Sequence, residues 1–174
     1  YTKQLQGEGT ILVDASYELM PEDIGEINST LARGGNVWLH GFDKTNVNTL
    51  RDVLGFEPVM IERDKTVLTA ALTGDDPLLG GLANFDFFWA KIRSGAREDY
   101  FQGASATAPI GGLDVLQLPA LETGTPLCTP ALMIKIPRES GTIFFDGISW
   151  DKAYATQPTR VCRIVGTLAM NLGA

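Results

Sequence analysis

Three residues of the chain have the types and spacing from which a hydrolase could build a nucleophile, a base and an orienting acid. His40 is the sole histidine and ends a short apolar run, while Asp14 and Ser16 follow an earlier apolar run. A hydroxyl nucleophile needs a base within hydrogen-bond reach, and that base needs a third group to orient it. No G-x-S-x-G turn is present to activate Ser16. A free-standing hydrolase with its site at Asp14, Ser16 and His40 is therefore the alternative hypothesis, and a hydrogen-bonded structural histidine is the main one.

Four aspartates stand where predicted strands end or loops begin, and two of them could form the carboxylate pair of a glycosidase. Such a pair requires two acids about 5 to 9.5 Å apart. The four candidates are Asp14, Asp43, Asp86 and Asp146. Acids at strand ends are common in α/β domains. If a parent protein hydrolyses glycosides, we expect its catalytic acids on another domain.

Tryptophan side chains suggest a third use, because exposed aromatic rings can stack on sugar rings. The candidates for carbohydrate binding are Trp89 and Trp150, with Trp38 and the phenylalanines around Trp89 as further aromatic surface. The alternatives are packing in the core and packing against a neighbouring domain. A small carbohydrate-binding module is thus an additional hypothesis.

Signals for metals and cofactors are poor, so we predict neither. One histidine and two distant cysteines make no zinc pattern, and Asp75-Asp76 is too short for a calcium loop. Gly7-x-Gly9 precedes a strand instead of following one, which excludes a dinucleotide fingerprint. Cys128 and Cys162 are expected to be thiols in or near the core, although one disulfide between them is not excluded.

Composition and charge limit the partners and the compartment. The 174 residues suggest one domain, with 44% hydrophobic residues and a mean hydropathy of +0.04. A net charge of −7 makes binding to nucleic acid or to an anionic membrane surface unfavourable. The chain starts at Tyr1, so we expect residues 1–174 to be one α/β domain of a longer polypeptide. We expect a soluble protein; secreted, periplasmic and homo-oligomeric states all stay open.

The elements that would position these residues begin with a β-α-β unit. Ile11–Asp14 and Asn36–His40 are predicted as adjacent parallel strands, and helical periodicity over Pro21–Arg33 predicts the crossover helix. Gly34-Gly35 ends this helix. The carboxyl ends of parallel strands meet at one edge of a sheet, where ligands of such folds bind. Asp14 and His40 are therefore expected to lie side by side.

The rest of the chain alternates extended and helical patterns. Asn46–Leu54 is predicted helical, and the last helix is predicted to start at a Thr159 cap and end at Gly173. The predicted extended stretches are Glu57–Arg63 and Lys65–Thr73 as a hairpin or a pair of edge strands, Phe85–Trp89 with alternating aromatics, Leu113–Leu118, and the hairpin Ala131–Pro137 with Thr142–Ile148. Glu122–Pro130 is predicted as loop. The sum is a three-layer, flavodoxin-like α/β fold: a mostly parallel sheet, helices on both faces and an antiparallel hairpin near the C-terminus.

A family resemblance rests on six stretches that follow one another over most of the chain. They are the strand Ile11–Asp14, the helix ending in Gly34-Gly35, the strand Asn36–His40, the Asp76–Leu82 turn with the aromatic stretch behind it, the strand Gly141–Phe145, and Asn171–Ala174. In this order they resemble the class I glutamine-amidotransferase-like domain that occurs as a non-catalytic module in large bacterial glycoside hydrolases, including some β-galactosidases.

The resemblance implies the scaffold without the glutaminase reaction. Amidotransferases of this class use a cysteine nucleophile on a strand-to-helix turn, and the corresponding turn here reads His40-Gly41-Phe42. Domains of this family also usually begin with a further strand and helix, and only nine residues precede Thr10 here. We therefore expect a non-catalytic accessory domain of a multidomain carbohydrate-active enzyme. Its expected partners are the other domains of that polypeptide, and carbohydrate is a further candidate.

Overall fold

The strands of the computed structural model form one six-stranded sheet and two two-stranded sheets within the described part of the chain. The described residues are 3–7, 9–14, 18–42, 45–62, 70–87, 114–117, 123–129, 131–148, 150, 153–154 and 157–173. The strands are β1 (Lys3–Gly7), β2 (Thr10–Asp14), β3 (Asn36–His40), β4 (Val59–Glu62), β5 (Ala71–Leu72), β6 (Asp114–Gln117), β7 (Thr125–Pro126), β8 (Cys128–Thr129), β9 (Met133–Arg138) and β10 (Gly141–Asp146). The helices are α1 (Pro21–Ala32), α2 (Arg51–Leu54) and α3 (Pro158–Asn171), together with 3-10 segments at Val47–Leu50, Pro77–Leu79 and Asn84–Phe87.

The large sheet has a parallel centre and antiparallel edges. Its strand order is β1-β2-β3-β10-β9-β7. β3 pairs in parallel with β2 on one side and with β10 on the other, whereas the pairs β1–β2, β9–β10 and β7–β9 are antiparallel. The predicted mixed α/β class and the parallel pairing of the first two predicted strands are thereby confirmed.

Helix α1 connects β2 to β3 and follows the sequence prediction closely. Pro21 occupies its first turn, where no backbone N–H is missed, and the Asp23 carboxylate accepts a hydrogen bond of 2.9 Å from the Met20 N–H. The helix buries Ile27 and Leu31 against the sheet and ends at Ala32. Gly34 then adopts a φ of +84°, a conformation that favours glycine. The Gly34-Gly35 pair therefore ends the helix, as the sequence pattern predicted.

The C-terminal hairpin and helix close the sheet. β9 and β10 are joined through Glu139 and Ser140, so the predicted hairpin is confirmed. Helix α3 starts at Pro158, with Gln157 and not Thr159 at its N-cap position, because proline is well suited to a first helical turn. Its apolar residues face the core: Val161, Ile164, Leu168 and Leu172 are buried, and Val165 is half-buried.

The segment predicted as one helix from Asn46 to Leu54 has two parts. Its first turn, Val47–Leu50, is a 3-10 segment, and only Arg51–Leu54 is α-helical. The apolar residues Val47, Leu50 and Leu54 of this segment are buried. Gly55 ends the segment with a φ of +78°.

Strand pairing after Gly55 differs from the sequence expectation. β4 pairs antiparallel with β6, and β5 pairs with β8, so the described residues form no hairpin between β4 and β5. The predicted turn itself falls at 63–69, outside the described residues. β7 and β8 also lie where a loop was predicted over Glu122–Pro130, which is wrong for those residues. Both differences have one cause: short strands take distant partners that local patterns do not specify.

The predicted alternating strand over Phe85–Trp89 is also wrong in its described part. Asn84–Phe87 is a 3-10 segment, with Phe85 exposed and both Asp86 and Phe87 buried. The Asp86 carboxylate accepts a hydrogen bond of 2.8 Å from the Ala83 N–H. Such local side-chain bonds offer the backbone an alternative to a strand ladder. Trp89 lies outside the described residues.

No helix within the described residues is both long and apolar enough to cross a membrane.

Candidate functional site

The carboxyl ends of the three parallel strands carry a row of titratable residues. In the pairing register, Asp14 of β2 lies opposite His40 of β3, and His40 lies opposite Asp146 of β10. Residues in register on parallel strands point to the same face of a sheet. The structure thus brings Asp14 and His40 together as predicted and adds Asp146 on the other side. Ser16, the third residue of the hydrolase hypothesis, lies outside the described residues.

Asp146 is the centre of a buried hydrogen-bond network. Its side chain is fully buried, and its Oδ2 accepts hydrogen bonds from the indole Nε1–H of Trp38, at 3.3 Å, and of Trp150. Its Oδ1 accepts the backbone N–H of Ile148 at 2.8 Å. A buried carboxylate is tolerated when donors satisfy its oxygens, and three N–H groups do so here. The network connects the end of β10 to the segment that follows it in the chain, which carries Ile148 and Trp150.

His40 borders this network at the surface. Its Nδ1 lies 3.5 Å from Oδ2 of Asp146, and its side chain retains 24% of its exposure. An imidazole beside a carboxylate can be held in one orientation, and in its charged form it would complete an ion pair. For hydrolysis, the same arrangement would additionally require a nucleophile within hydrogen-bond reach.

The tryptophans that the structure describes pack inside the protein. Trp150 is only 8% exposed and uses its N–H on Asp146. Trp38 is 2% exposed, and its ring centroid lies 5.2 Å from that of Phe144. Trp150 was singled out for stacking on sugars, but the structure places its ring in the core. A signal was present in the sequence: Asp146 lies near the end of the strand predicted over Thr142–Ile148, four residues before a tryptophan that can donate one hydrogen bond.

The remaining candidate acids do not join the row. Asp86 is buried elsewhere, where it forms an ion pair with Arg163 of α3, and Asp43 lies outside the described residues. Among the described residues, no group of three or more histidines, cysteines, aspartates or glutamates is arranged to hold a metal ion.

The two cysteines differ in environment. Cys128 is buried, and burial raises the pKa of its thiol from 9.0 to about 11, while hydrogen bonds with the backbone of Met133 and Leu132 lower it only in part. Cys162 is exposed on α3, so the prediction of two thiols in or near the core is right for Cys128 and wrong for Cys162. No disulfide joins the two cysteines.

The raised pKa of Cys128 predicts a loss of stability at alkaline pH. The thiol of the unfolded chain ionises near pH 9.0 and that of the folded chain near pH 11, so the unfolded chain binds fewer protons between these values. The stabilisation is complete below pH 9.0 and falls by about 2 to 3 kcal/mol towards pH 11. Urea unfolding of wild type and Cys128→Ala at several pH values measures this term.

Two controls apply to this alkaline effect. Cys162→Ala should keep the full alkaline loss, and Cys128→Ala should show a shallower one. A thiol reagent at neutral pH should label Cys162 rapidly and Cys128 only on unfolding. Equal alkaline slopes in wild type and Cys128→Ala would contradict the prediction.

Comparison with known proteins gives a likeness of fold. No protein-family model matches the sequence, and no curated protein matches it. Among solved structures, the chain is similar to an exo-β-1,4-mannosidase from Opitutaceae bacterium strain TAV5, with a TM-score of 0.50 and 12% sequence identity. The likeness covers 94% of this chain and 25% of the mannosidase. The fold therefore also occurs within a glycoside hydrolase, and this chain spans about a quarter of that protein's length.

Proposed function

We propose that the chain is a non-catalytic accessory domain of a multidomain carbohydrate-active enzyme, with a three-layer, flavodoxin-like fold of the glutamine-amidotransferase-like type. We call this larger enzyme the parent polypeptide. The role of the domain is to support assembly of the parent polypeptide or to position its substrate-binding domain.

The observation that carries the proposal is the size relation to the structural neighbour. Nearly the whole chain, 94%, corresponds to only 25% of the exo-β-1,4-mannosidase. A fold of this size inside a longer hydrolase is what an accessory domain requires. The mannosidase name makes β-mannosides the first substrates to test on the parent polypeptide.

The placement of helices supports a layered arrangement. A Cβ built on Gly141 would lie 2.9 Å from the Leu31 Cα, so α1 packs on the face of β10 that carries Ile143 and Phe145. The Thr10 hydroxyl and the Asn36 amide both donate to the Leu172 carbonyl at the end of α3, at 2.7 and 2.9 Å. Thr10 and Asn36 alternate along β2 and β3 with the residues that face α1. Their side chains therefore lie on the opposite face of the sheet.

The Asp146 network supports a structural role for the strand ends. Both carboxylate oxygens of Asp146 accept N–H groups from the surrounding core, and a residue so engaged stabilises the fold. The rival hypothesis is hydrolysis at Asp14, Ser16 and His40. It uses the same row of strand-end residues, because His40 lies between Asp14 and Asp146.

Turnover and assembly of the parent polypeptide test the proposal. The 174-residue chain alone should hydrolyse neither p-nitrophenyl β-mannoside, p-nitrophenyl β-galactoside nor glutamine. The parent polypeptide should hydrolyse a glycoside, and deleting this domain should change its oligomeric mass or its thermal stability. Turnover by the isolated chain, or a parent polypeptide with no activity on any glycoside, would overturn the proposal.

A further inference from the structure

We propose that His40 is a pH-sensitive switch at the carboxyl edge of the parallel strands, and that protonation of its imidazole closes an ion pair with Asp146. His40 is the only histidine in the chain. Its Nδ1 is a buried atom 3.5 Å from Oδ2 of Asp146, whereas the side chain as a whole is 24% exposed. The buried nitrogen therefore faces a carboxylate, and other atoms of the same side chain contact solvent. An imidazole in this position can exchange protons with water within the physiological pH range.

Asp146 presents its carboxylate to His40 in a fixed position. Its side chain is fully buried, its Oδ1 accepts the Ile148 N–H, and its Oδ2 accepts the indole N–H groups of Trp38 and Trp150. All three donors are neutral groups. Protonation of His40 would therefore add to this network the positive charge that a buried carboxylate favours.

Two carboxylates favour the charged form of the imidazole. In the pairing register, Asp14 of β2 and Asp146 of β10 lie on the two sides of His40. An opposite charge within about 4 to 6 Å changes a pKa by about 1 to 3 in favour of the charged form, whereas burial acts in the other direction. Burial of His40 is incomplete, because its side chain is 24% exposed. We therefore expect a His40 pKa above about 6.5, the value of the imidazole in an unfolded chain.

The neighbouring strands add no charge that reverses this direction. On the far side of Asp146, β9 places the uncharged Met133 in register. Burial, and to a smaller degree the charge of Asp146, raises the pKa of the Cys128 thiol to about 11. Cys128 is therefore neutral over the range in which His40 titrates.

Helix α3 lies on the face of the sheet that carries the row, and its only charged residues are two arginines. Arg163 forms an ion pair with Asp86, so a carboxylate offsets its charge. The Arg160 guanidinium lies 4.8 Å from the ring centroid of Phe85. Arg160 is thus the group on α3 that opposes protonation of His40, against two carboxylates on the strands beside it.

The direction of the pKa change gives the direction of the stability change. When folding raises the pKa of a histidine, the contribution to stability is complete below about pH 6.5 and is lost as the pH rises through the folded value. His40 should therefore hold the ends of β3 and β10 together in mild acid and release this contact in mild alkali. Trp38 and Trp150 should report the change, because their N–H groups share Oδ2 with His40.

Nuclear magnetic resonance titration of the 174-residue chain between about pH 5 and pH 9 tests the switch. Its single histidine gives one imidazole signal, so no assignment is needed. We expect a titration midpoint at or above about pH 7, compared with about 6.5 for the unfolded chain. The indole N–H signals of Trp38 and Trp150 should shift with the same midpoint. An imidazole midpoint at or below about 6.5, or indole signals that do not follow the imidazole, would overturn the inference.

Two substitutions test the assigned partners. Asp146→Asn should lower the imidazole midpoint by about 1, and Asp14→Asn should lower it by less, because each removes one of the carboxylates. Asp75→Asn is the matched control: it removes the same charge from an exposed position and should leave the midpoint unchanged. An unchanged midpoint in folded Asp146→Asn would overturn the inference.

A stability measurement tests the switch even where Asp146→Asn does not fold. Urea unfolding of wild type and His40→Asn at about pH 5.5 and about pH 8.5 compares two proteins that both keep Asp146 and Cys128. The wild-type protein should exceed the variant by more at the lower pH. An equal difference at the two pH values would overturn the inference. None of these results affects the accessory role, which turnover and assembly of the parent polypeptide decide separately.

Discussion

Replacing Asp146 with alanine is expected to lower the free energy of unfolding by about 3 to 5 kcal/mol, the range found when one partner of a buried charged network is removed. Two indole N–H groups, from Trp38 and Trp150, and the Ile148 N–H would lose their acceptor in the protein interior. An unsatisfied buried donor costs about 1 to 3 kcal/mol. Urea unfolding followed by tryptophan fluorescence measures the change, with circular dichroism as a second probe.

Two further variants separate the network from charge alone. Asp75→Ala removes an exposed aspartate and should change stability by no more than about 0.5 kcal/mol. Trp38→Phe removes one donor and leaves Asp146 with two, so it should cost less than Asp146→Ala. A loss below about 1 kcal/mol for Asp146→Ala would contradict the network as described.

Replacing Gly141 with alanine is expected to destabilise the protein by about 3 kcal/mol or more, the upper end of the cost of overpacking. The added Cβ would lie 2.9 Å from both the Cα and the carbonyl oxygen of Leu31 and even closer to the Gly35 carbonyl oxygen. All of these are backbone atoms, so a side-chain rotation cannot relieve the clash. Helix α1 and the start of β3 would have to move away from β10.

Gly166→Ala is the matched control for this prediction. Gly166 lies within α3, and a Cβ built there meets nothing within 4 Å. The substitution should stabilise the protein by about 1 kcal/mol, because alanine is the better helix former. Chemical denaturation measures the change in the free energy of unfolding for both variants, which should be a loss for Gly141→Ala and a gain for Gly166→Ala. A Gly141→Ala protein as stable as wild type would contradict the close packing of α1 on β10.

The sequence predicted the elements whose signals are local. The β-α-β unit was predictable because Pro21, the apolar spacing of α1 and the Gly-Gly stop all lie within one short stretch. The β9–β10 hairpin was predictable for the same reason, since polar residues and Gly141 separate two apolar runs. The position of Asp14 and His40 at the same edge of the sheet followed from the predicted parallel pairing of their strands, and local spacing also indicated that pairing.

The remaining features depend on contacts between distant parts of the chain. Asp146 looked like any acid at the end of a strand, and its role appears only when β10 lies beside β3 and brings Trp38 within reach. The pairing of β4 with β6 joins residues as far apart in sequence as Val59 and Gln117, which periodicity cannot specify. Phe85 and Phe87 alternated as in a strand, but the bond from the Ala83 N–H to Asp86 supports a 3-10 turn instead.

Measuring turnover of the parent polypeptide with His40→Asn tests the non-catalytic role most directly. If the row of Asp14, His40 and Asp146 were catalytic, His40 would be its base, whereas in a structural row His40 takes no part in turnover. A structural histidine predicts a kcat/KM within about threefold of wild type and a stability cost of about 1 to 2 kcal/mol, as for one lost hydrogen bond near the surface of the core. Circular dichroism must show that the fold is intact. A fall in kcat of about a hundredfold or more in a folded protein is the loss expected for a general base. That result would contradict the non-catalytic role and assign hydrolysis to the row at Asp14 and His40.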